Sequence, residues 1–242
     1  MTHIFHPTML REYDIRGVVG DTLSDKDAYA IGRSFATLIR RAGGRRIAIG
    51  YDGRLSSPML ADALIADLNT RFGGIDVIIA NAGIAHRVPM AQMTDAKWDE
   101  TFDIDLKGML RVIRPALPAM KPGASIICLS SIMGVSYGWD EHVHYSAAKA
   151  GVIGMIRGLA VEFAARGIRV NGVAPGYIRT AQLLNPGHSL GPDAAEIASP
   201  YIPMRRLGDP EQDLRGPLLF LASDASSYTT GVSLNVDGGF LS

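Results

Sequence analysis

Tyr145 and Lys149 are the residues whose types and spacing most directly indicate chemistry in this sequence. They lie four residues apart in HYSAAKAGV, at the start of a predicted helix, so they share one helix face. A cation beside a phenol favours the tyrosinate, which lowers the tyrosine pKa and suits the side chain to acid–base catalysis near neutral pH. Because Tyr-x-x-x-Lys often occurs by chance, the pair gains significance only from the residues around it.

Small and polar residues follow three of the predicted strands. Ser130-Ser131 ends the strand before the Tyr145 helix, Asn81-Ala82-Gly83 follows IDVIIA, and Pro175-Gly176 follows RVNGVA. Ligands of parallel sheets collect at the carboxyl ends of strands, and small residues let a flat ligand approach the backbone. Each segment alone fits an ordinary turn, but together with Tyr145 and Lys149 they predict one ligand site.

Short apolar strands alternate with amphipathic helices along the chain. Strands are predicted at residues 46–50, 75–80, 125–129, 168–173 and 233–236. Helices are predicted from Ser24 (with Asp27 completing a capping box) to residue 43, over 59–71, from about Thr94, over 144–166, and from about 209 to 223. A loop rich in Pro, Gly and Ala separates residues 175 and 209. This alternation predicts an α/β fold with a parallel sheet covered by helices on both faces.

Composition narrows the function classes. The 242 residues carry zero formal net charge, which gives no indication of a nucleic-acid or membrane-surface partner. The apolar runs are too short to span a bilayer, and the start MTHIFHPTML lacks the pattern of a secretory signal. The single cysteine, Cys128, excludes a disulfide framework and fits a reducing compartment, so we expect a cytoplasmic protein.

From about residue 74 to residue 240 the sequence resembles the short-chain dehydrogenase/reductase family. The matching motifs are Ala80-Asn81-Ala82-Gly83, Ser131-Ile132-Met133-Gly134, Tyr145-Ser146-Ala147-Ala148-Lys149, RVNGVAPG at 169–176 with Thr180, and Val236-Asp237-Gly238-Gly239. The resemblance implies a Rossmann-like doubly wound parallel sheet. It also implies an NAD(P)-dependent oxidoreductase that interconverts a small alcohol and a ketone, and a homo-oligomer, either a tetramer or a dimer.

The resemblance assigns roles to individual residues. Tyr145 is implied to exchange a proton with the substrate oxygen, Lys149 to lower the pKa of Tyr145 and contact the nicotinamide ribose, and Ser131 to hydrogen-bond the reacting oxygen. The implied cofactor-binding residues, for either NAD or NADP, are Asn81, Ala82, Gly83, Tyr145, Lys149, Pro175, Gly176, Ile178 and Thr180.

Asp105, in FDIDLKG, departs from the family pattern, in which asparagine usually completes the catalytic set. A carboxylate is able to keep the local backbone geometry. It also adds a negative charge near Lys149, which we expect to change the pKa of Tyr145. Asp105 is therefore the fourth catalytic candidate.

The family's phosphate-binding turn, Thr-Gly-x-x-x-Gly-x-Gly, is missing, since no G-x-G occurs anywhere in the chain. Aligning AIGR at residues 30–33 with the end of that turn puts Lys26 and Ala30 at two of the three glycine positions. Side chains there would crowd a pyrophosphate, although Lys26 would also bring a positive charge.

Residues 1–68 resemble a different family. The stretches LREYDIRGVVGDTLSDKDAYAIGR and IAIGYDGRLSSP are similar to the N-terminus of phosphomannomutases and phosphoglucomutases. The phosphoserine and metal loops of those enzymes have no counterpart here. We therefore predict a single Rossmann-like domain over 1–242, with a mutase-like β-α-β-α segment at 1–68, a dehydrogenase-like body at 69–242, and an atypical N-terminal edge. Counting elements predicts one strand fewer than the family's seven.

Other candidates carry weaker patterns. His142 and His144 could bind a metal, but no acidic or cysteine partner lies at ligand spacing, and a place at the pocket rim fits better. Asp52 and Arg54 follow a strand and could contact an adenosine ribose, or form a structural turn.

The segment 181–206, with Leu183, Leu184, Tyr201 and Met204, is expected to cover the substrate and suits sugars, polyols or acyl chains equally. Two alternatives to the enzyme stay open at this point. One is a non-catalytic scaffold with an impaired cofactor site, and the other is a phosphosugar-binding fragment.

Overall fold

A computed structural model describes residues 4, 21, 23–41, 48–49 and 74–242. These residues contain a five-stranded parallel sheet in the order β1-β2-β3-β4-β5. The strands are β1 (Ala48–Ile49), β2 (Ile75–Ala80), β3 (Met120–Leu129), β4 (Arg169–Pro175) and β5 (Ser233–Val236).

Seven α-helices lie within the described residues. They are α1 (Asp25–Arg41), α2 (Asp95–Asp105), α3 (Lys107–Ala116), α4 (Ile132–Val135), α5 (Val143–Ala164), α6 (Ala194–Ala198) and α7 (Arg215–Ala222). Of these helices, α3, α4, α5 and α7 contact the sheet. A π-helical turn, Pro210–Leu214, leads directly into α7. No helix in the described ranges has both the length and the apolar character needed to cross a membrane.

Alternate side chains of β3 enter two different cores. Ile126 and Cys128 belong to a cluster built with α3 and α5, whereas Ile127 and Leu129 pack in a second cluster that includes Leu221 of α7. Because neighbouring residues of a strand point to opposite faces, this division means that helices cover both faces of the sheet. The predicted α/β class and doubly wound parallel sheet are confirmed.

Local signals set several element ends as predicted. At α1 the Ser24 N–H donates to Asp27 Oδ2 at 2.8 Å and the Asp27 N–H donates to Ser24 Oγ at 3.3 Å, which is a reciprocal capping box. At α2 the Thr94 hydroxyl accepts from the Lys97 N–H. Strands β2 and β5 have the predicted bounds.

Several elements differ from the sequence prediction, and one of them is β4, which runs from Arg169 to Pro175 instead of over 168–173. β3 begins at Met120 rather than at residue 125, because Met120 already pairs with Ile75 before a register irregularity. The predicted loop 175–209 contains the short helix α6. At the other edge, Ala48 and Ile49 of β1 pair with β2. The predicted helix 59–71 lies outside the described residues, as does much of the chain on which the predicted strand count depends.

Candidate active site

The carboxyl ends of β2, β3 and β4 open onto a pocket of about 790 Å³. Nearly all the site residues predicted from sequence line it, although they come from separate parts of the chain. These are Asn81, Ala82, Gly83, Ser131, Tyr145, Lys149, Pro175, Gly176, Ile178 and Thr180. Asp105 is the exception, because it lies fully buried behind the pocket wall.

Two serines fix the end of β3 against α5. Ser131 begins α4 with an extended backbone, and its hydroxyl accepts a hydrogen bond from the Met133 N–H at 3.2 Å. The Ser130 hydroxyl donates to the Lys149 carbonyl at 2.9 Å. Gly134 permits close contact, because a Cβ there would lie 2.5 Å from the Lys149 backbone. Ser131 is therefore held beside the turn of α5 that carries Tyr145.

The Lys149 ammonium group lies at the centre of the polar contacts. Its side chain is only 4% exposed, and Nζ donates to the Leu129 carbonyl at 3.1 Å. Nζ also lies 3.2 Å from Asp105 Oδ2 and 5.5 Å from the centre of the Tyr145 ring. Lys149 thus connects the end of β3, the carboxylate of α2 and the phenol of its own helix.

Asp105 joins this group to the loop after β2. Its Oδ1 accepts from the Ile84 N–H at 2.8 Å, while Oδ2 faces Lys149. Gly83 lies against the same pair, since a Cβ at Gly83 would be 2.9 Å from Lys149 Nζ and 3.0 Å from Asp105 Oδ2. The sequence predicted Gly83 as a cofactor-lining residue, but its close approach to the ion pair becomes visible only in the structure.

Burial is the largest single influence on the pKa of each of these three side chains, and it sets the net direction for Asp105 and Tyr145. It raises the pKa of the Asp105 carboxyl, which the positive charge of Lys149 only partly offsets. It also raises the pKa of the Tyr145 phenol, where Lys149 acts to lower the pKa and the negative charge of Asp105 raises it further. For Lys149, burial acts to lower the pKa, but the negative charges of Tyr145 and Asp105 outweigh it and the pKa is raised.

The expectation of a lowered Tyr145 pKa was therefore wrong in its net direction. The predicted effect of Lys149 is present with the predicted sign. Removal of the phenol from water outweighs it, because a phenolate loses its hydration on burial while the phenol loses little.

Aromatic side chains that the sequence analysis did not single out form another part of the pocket wall. Tyr137, Trp139 and Tyr177 line the pocket, together with His142. The Tyr137 and Tyr177 hydroxyls lie 3.2 Å apart, and the rings of Trp139 and His142 stack at 4.8 Å with an interplanar angle of 6°. The aromatic-rich stretch YGWDEHVHY, between Ser131 and Lys149, was the available sequence signal.

The two predicted histidine candidates lie in different environments. His142 has Nδ1 2.7 Å from the Asp140 carbonyl and Nε2 3.3 Å from the His188 carbonyl. His144 is buried outside the pocket lining, its ring nitrogens have no hydrogen-bond partner within the described ranges, and burial lowers its pKa. Across the described segments, no cluster of three or more His, Cys, Asp or Glu side chains is arranged to hold a metal ion.

Backbone contacts anchor the segment after β4. The Arg179 N–H donates to the Gly208 carbonyl at 2.8 Å, and the Gly208 N–H donates to the Tyr177 carbonyl at 2.9 Å. The Thr180 hydroxyl accepts from the Leu183 N–H at 3.3 Å. Leu183 lines the pocket, as expected for the covering segment, whereas Leu184 does not. Asp52 and Arg54 lie outside the described residues.

The donor groups fit one end of a dinucleotide better than the other. Lys149 and Tyr145 beside Asn81 offer the polar groups that a nicotinamide ribose requires. Among the described residues that line the pocket, Lys149 is the only lysine or arginine, and it is already paired with Asp105. The described part of the lining therefore suits a nicotinamide ribose, and within it no lysine or arginine is free for a pyrophosphate.

A parallel α/β sheet with Ser131, Tyr145 and Lys149 at its carboxyl ends has the architecture of a dinucleotide-binding fold, in which ligands bind at that edge. Residues 26–241 match a family model described as enoyl-(acyl-carrier-protein) reductase. The 3-oxoacyl-acyl-carrier-protein reductase of Thermotoga maritima is 41% identical over 173 residues, covering 71% of this chain and 68% of the relative. Nodulation protein G of Azospirillum brasilense is 34% identical over 203 residues, covering 81% and 80%.

A dehydrogenase/reductase structure from Sinorhizobium meliloti 1021 is also similar. It superposes with a TM-score of 0.73 at 31% identity, covering 87% of this chain and 80% of that chain. The chain belongs to the short-chain dehydrogenase/reductase family. The match begins at residue 26, well before the residue 74 at which the sequence analysis placed the start of the resemblance. The family model therefore includes much of the segment that was predicted from the sequence to be mutase-like.

Proposed function

We propose that this chain is an NAD(P)-dependent oxidoreductase that interconverts a small alcohol and a ketone. The observation that carries the proposal is the grouping of Ser131, Tyr145 and Lys149 in one pocket at the carboxyl ends of the sheet. The 3-oxoacyl substrate in the name of the Thermotoga maritima relative is a ketone, which supports the same reaction type.

Ketone reduction is the direction that needs the protonated form of Tyr145. Because burial raises its pKa, the phenol keeps its proton at neutral pH and is able to donate it to the carbonyl oxygen. The Ser131 hydroxyl donates a hydrogen bond to the same oxygen, and the Lys149 cation stabilises the phenolate that remains. When bound, NAD or NADP supplies the hydride for reduction or accepts it in the reverse reaction.

Asp105 is proposed to act as a positioning residue. Its carboxylate holds the Ile84 N–H with one oxygen and pairs with Lys149 through the other. This arrangement holds the loop after β2, which carries Asn81 and Gly83, close to Lys149.

We also propose that the chain forms a homo-oligomer, either a dimer or a tetramer. Sedimentation velocity would measure the number of subunits.

Two specific observations favour alternative functions. The missing glycine turn favours a scaffold with an impaired cofactor site. The mutase-like motifs at residues 1–68 favour a phosphosugar-binding fragment.

A fluorescence-followed titration with NADH and NADPH, combined with a turnover assay on a simple ketone, discriminates among the three. Saturable binding with turnover supports the oxidoreductase. A parallel titration with glucose 6-phosphate tests the third function. Binding of this sugar phosphate, with no binding of NADH or NADPH, supports the phosphosugar-binding fragment. Absence of turnover and of all binding supports the scaffold.

A further inference from the structure

A second cavity of about 440 Å³ adjoins the catalytic pocket. Tyr137, Trp139 and Tyr177 line both cavities, so the two cavities meet at these three side chains. The second cavity is also bounded by Tyr201 and Phe240, among others. Because Lys149 lines only the catalytic pocket, the second cavity lies beside the catalytic group and offers a place for the part of a substrate that does not react.

The walls of this second cavity carry no charged side chain among the described residues. Its lining side chains carry few polar groups, namely three tyrosine hydroxyls and the Trp139 indole N–H, and the hydroxyls of Tyr137 and Tyr177 already share one hydrogen bond at 3.2 Å. A polyol placed here would leave most of its hydroxyl groups without partners, which disfavours binding. A hydrocarbon group has no hydroxyl groups, so its binding here leaves no hydrogen-bonding group without a partner.

Ring-to-ring contacts hold the cavity open in a defined shape. Phe240 meets Tyr137 edge to face at 4.9 Å and 88°, and it meets Tyr177 at 5.3 Å and 82°. Trp139 meets Tyr177 at 6.1 Å and 75°. Edge-to-face pairs at these distances are favourable, so they stabilise this arrangement of the walls without a ligand. Tyr201, by contrast, is 75% exposed and closes the cavity only on its solvent side.

We infer that this second cavity binds the apolar end of the substrate, a hydrocarbon ring or chain attached to the reacting ketone. The inference rests on the proposed oxidoreductase function and narrows its substrate class. Sugars, polyols and acyl chains were equally compatible with the sequence. The walls of the second cavity are aromatic and aliphatic and carry no charged side chain among the described residues, so they disfavour sugars and polyols.

Binding can be measured without turnover because the chain has only two tryptophans. Trp98 stacks on Phe102 in α2 and lines neither cavity, so Trp98→Phe leaves Trp139 as the sole reporter at the shared wall. Benzylacetone, a methyl ketone with an aromatic tail, is the apolar probe, and fructose, a ketone of similar size, is the polyol probe. We expect saturable quenching of Trp139 by benzylacetone and none by fructose at the same concentrations.

A matched pair of variants locates the response. Tyr201→Gln removes apolar wall and should weaken benzylacetone binding by roughly threefold or more. Tyr228→Gln makes the same change at a fully exposed tyrosine outside both cavities and should leave binding unchanged. Equal quenching by fructose, no saturable quenching by either probe, or equal effects of the two variants would overturn the inference.

Turnover supplies the second measurement and separates the two proposals. In a series of methyl ketones of increasing chain length, kcat/KM should rise by roughly fourfold per methylene until the cavity is full. If kcat/KM does not change with the chain length of the ketone, the inference is contradicted. If no ketone is turned over with either nicotinamide cofactor while benzylacetone still quenches Trp139, the proposed function fails and the apolar cavity stands.

Discussion

Asp105 and Lys149 form a buried ion pair, with Oδ2 and Nζ 3.2 Å apart and both side chains almost completely removed from solvent. The resemblance predicts that Asp105 stands where short-chain dehydrogenases usually carry asparagine, so its charge is a predicted departure from the family pattern. The negative charge of Asp105 also acts on Tyr145, where it raises the pKa of the phenol.

Replacing Asp105 with asparagine should shift the pH dependence of catalysis to lower pH. The negative charge of Asp105 raises the pKa of Tyr145, so its removal lowers that pKa. Ketone reduction needs the protonated phenol and is lost as pH rises through this pKa, so the loss should occur at lower pH in Asp105→Asn. Alcohol oxidation needs the phenolate and should begin at lower pH. Profiles of kcat/KM against pH in both directions measure the shift.

Asp103→Asn is the matched control for that experiment. Asp103 lies two residues away but is 43% exposed and pairs with Lys107 and Arg111. Asp103→Asn removes the same charge as Asp105→Asn, yet its profile of kcat/KM against pH should follow that of the unmodified protein. A profile of Asp105→Asn that stays in place, or that moves to higher pH, would contradict the role given to Asp105.

Removing the Asp105 carboxylate altogether should destabilise the fold. Asp105→Ala leaves the Lys149 cation buried without its counterion and the Ile84 N–H without its acceptor. Breaking a buried pair from one side typically costs about 3–5 kcal/mol in the free energy of unfolding. Asp103→Ala, at a surface pair, should cost about 1 kcal/mol or less. Urea unfolding followed by circular dichroism compares the two, and equal losses would refute the expected difference.

Tyr145→Phe should abolish turnover while the protein stays folded. The substitution keeps the ring that packs near Lys149 and removes only the transferable proton. Loss of general acid–base catalysis typically lowers the rate by about 10²–10⁴-fold. Tyr228→Phe, at a fully exposed tyrosine, should retain full activity. Near-normal turnover by Tyr145→Phe, in protein with an unchanged melting temperature, would mean that another group transfers the proton.

Gly83→Ala should disrupt the site through a steric contact. The added Cβ would lie 2.9 Å from Lys149 Nζ and 3.0 Å from Asp105 Oδ2, so one of the two must move. Small displacements of catalytic groups lower kcat/KM by roughly 10–10²-fold. At Gly158, on the exposed face of α5, a Cβ meets nothing within 4 Å. Gly158→Ala should therefore keep activity and gain about 0.5–1 kcal/mol of stability. Full activity of Gly83→Ala would show that the pair tolerates the contact.

Nicotinamide cofactors should bind more weakly than micromolar. The chain lacks the family's glycine turn, and Asp25 and Asp27 occupy the first turn of α1, where they repel phosphate. Losing two or three charge-assisted hydrogen bonds at roughly 1.5–3 kcal/mol each weakens binding by several orders of magnitude. Calorimetry with NAD(H) and NADP(H) measures the affinity. A micromolar Kd for either would show that the N-terminal segment builds a working phosphate site.

The hydrophobic pattern and the order of the motifs along the chain were sufficient to predict the α/β fold class and most of the residues that line the pocket. Strands β2 and β5 matched their predicted bounds because each apolar run is bordered by residues that end a strand. The capping box at Ser24 was readable because it involves residues only three positions apart. β3 was predicted too short, since Pro122 and Gly123 interrupt its apolar run while Met120 pairs through long-range contact with β2.

Only the tertiary structure determined the net pKa of Tyr145 and the shape of the aromatic cavity beside the catalytic pocket. The sign of the Lys149 effect on Tyr145 was predictable from spacing, but the net pKa depends on burial by elements from across the chain. The contact of Gly83 with the Asp105–Lys149 pair likewise needs the loop after β2 and two helices to meet. The aromatic cavity brings Tyr137 together with Phe240, which lies far along the chain near residue 242. Hydrophobic periodicity reports which face of an element is buried, but only folding determines which faces then share one cavity.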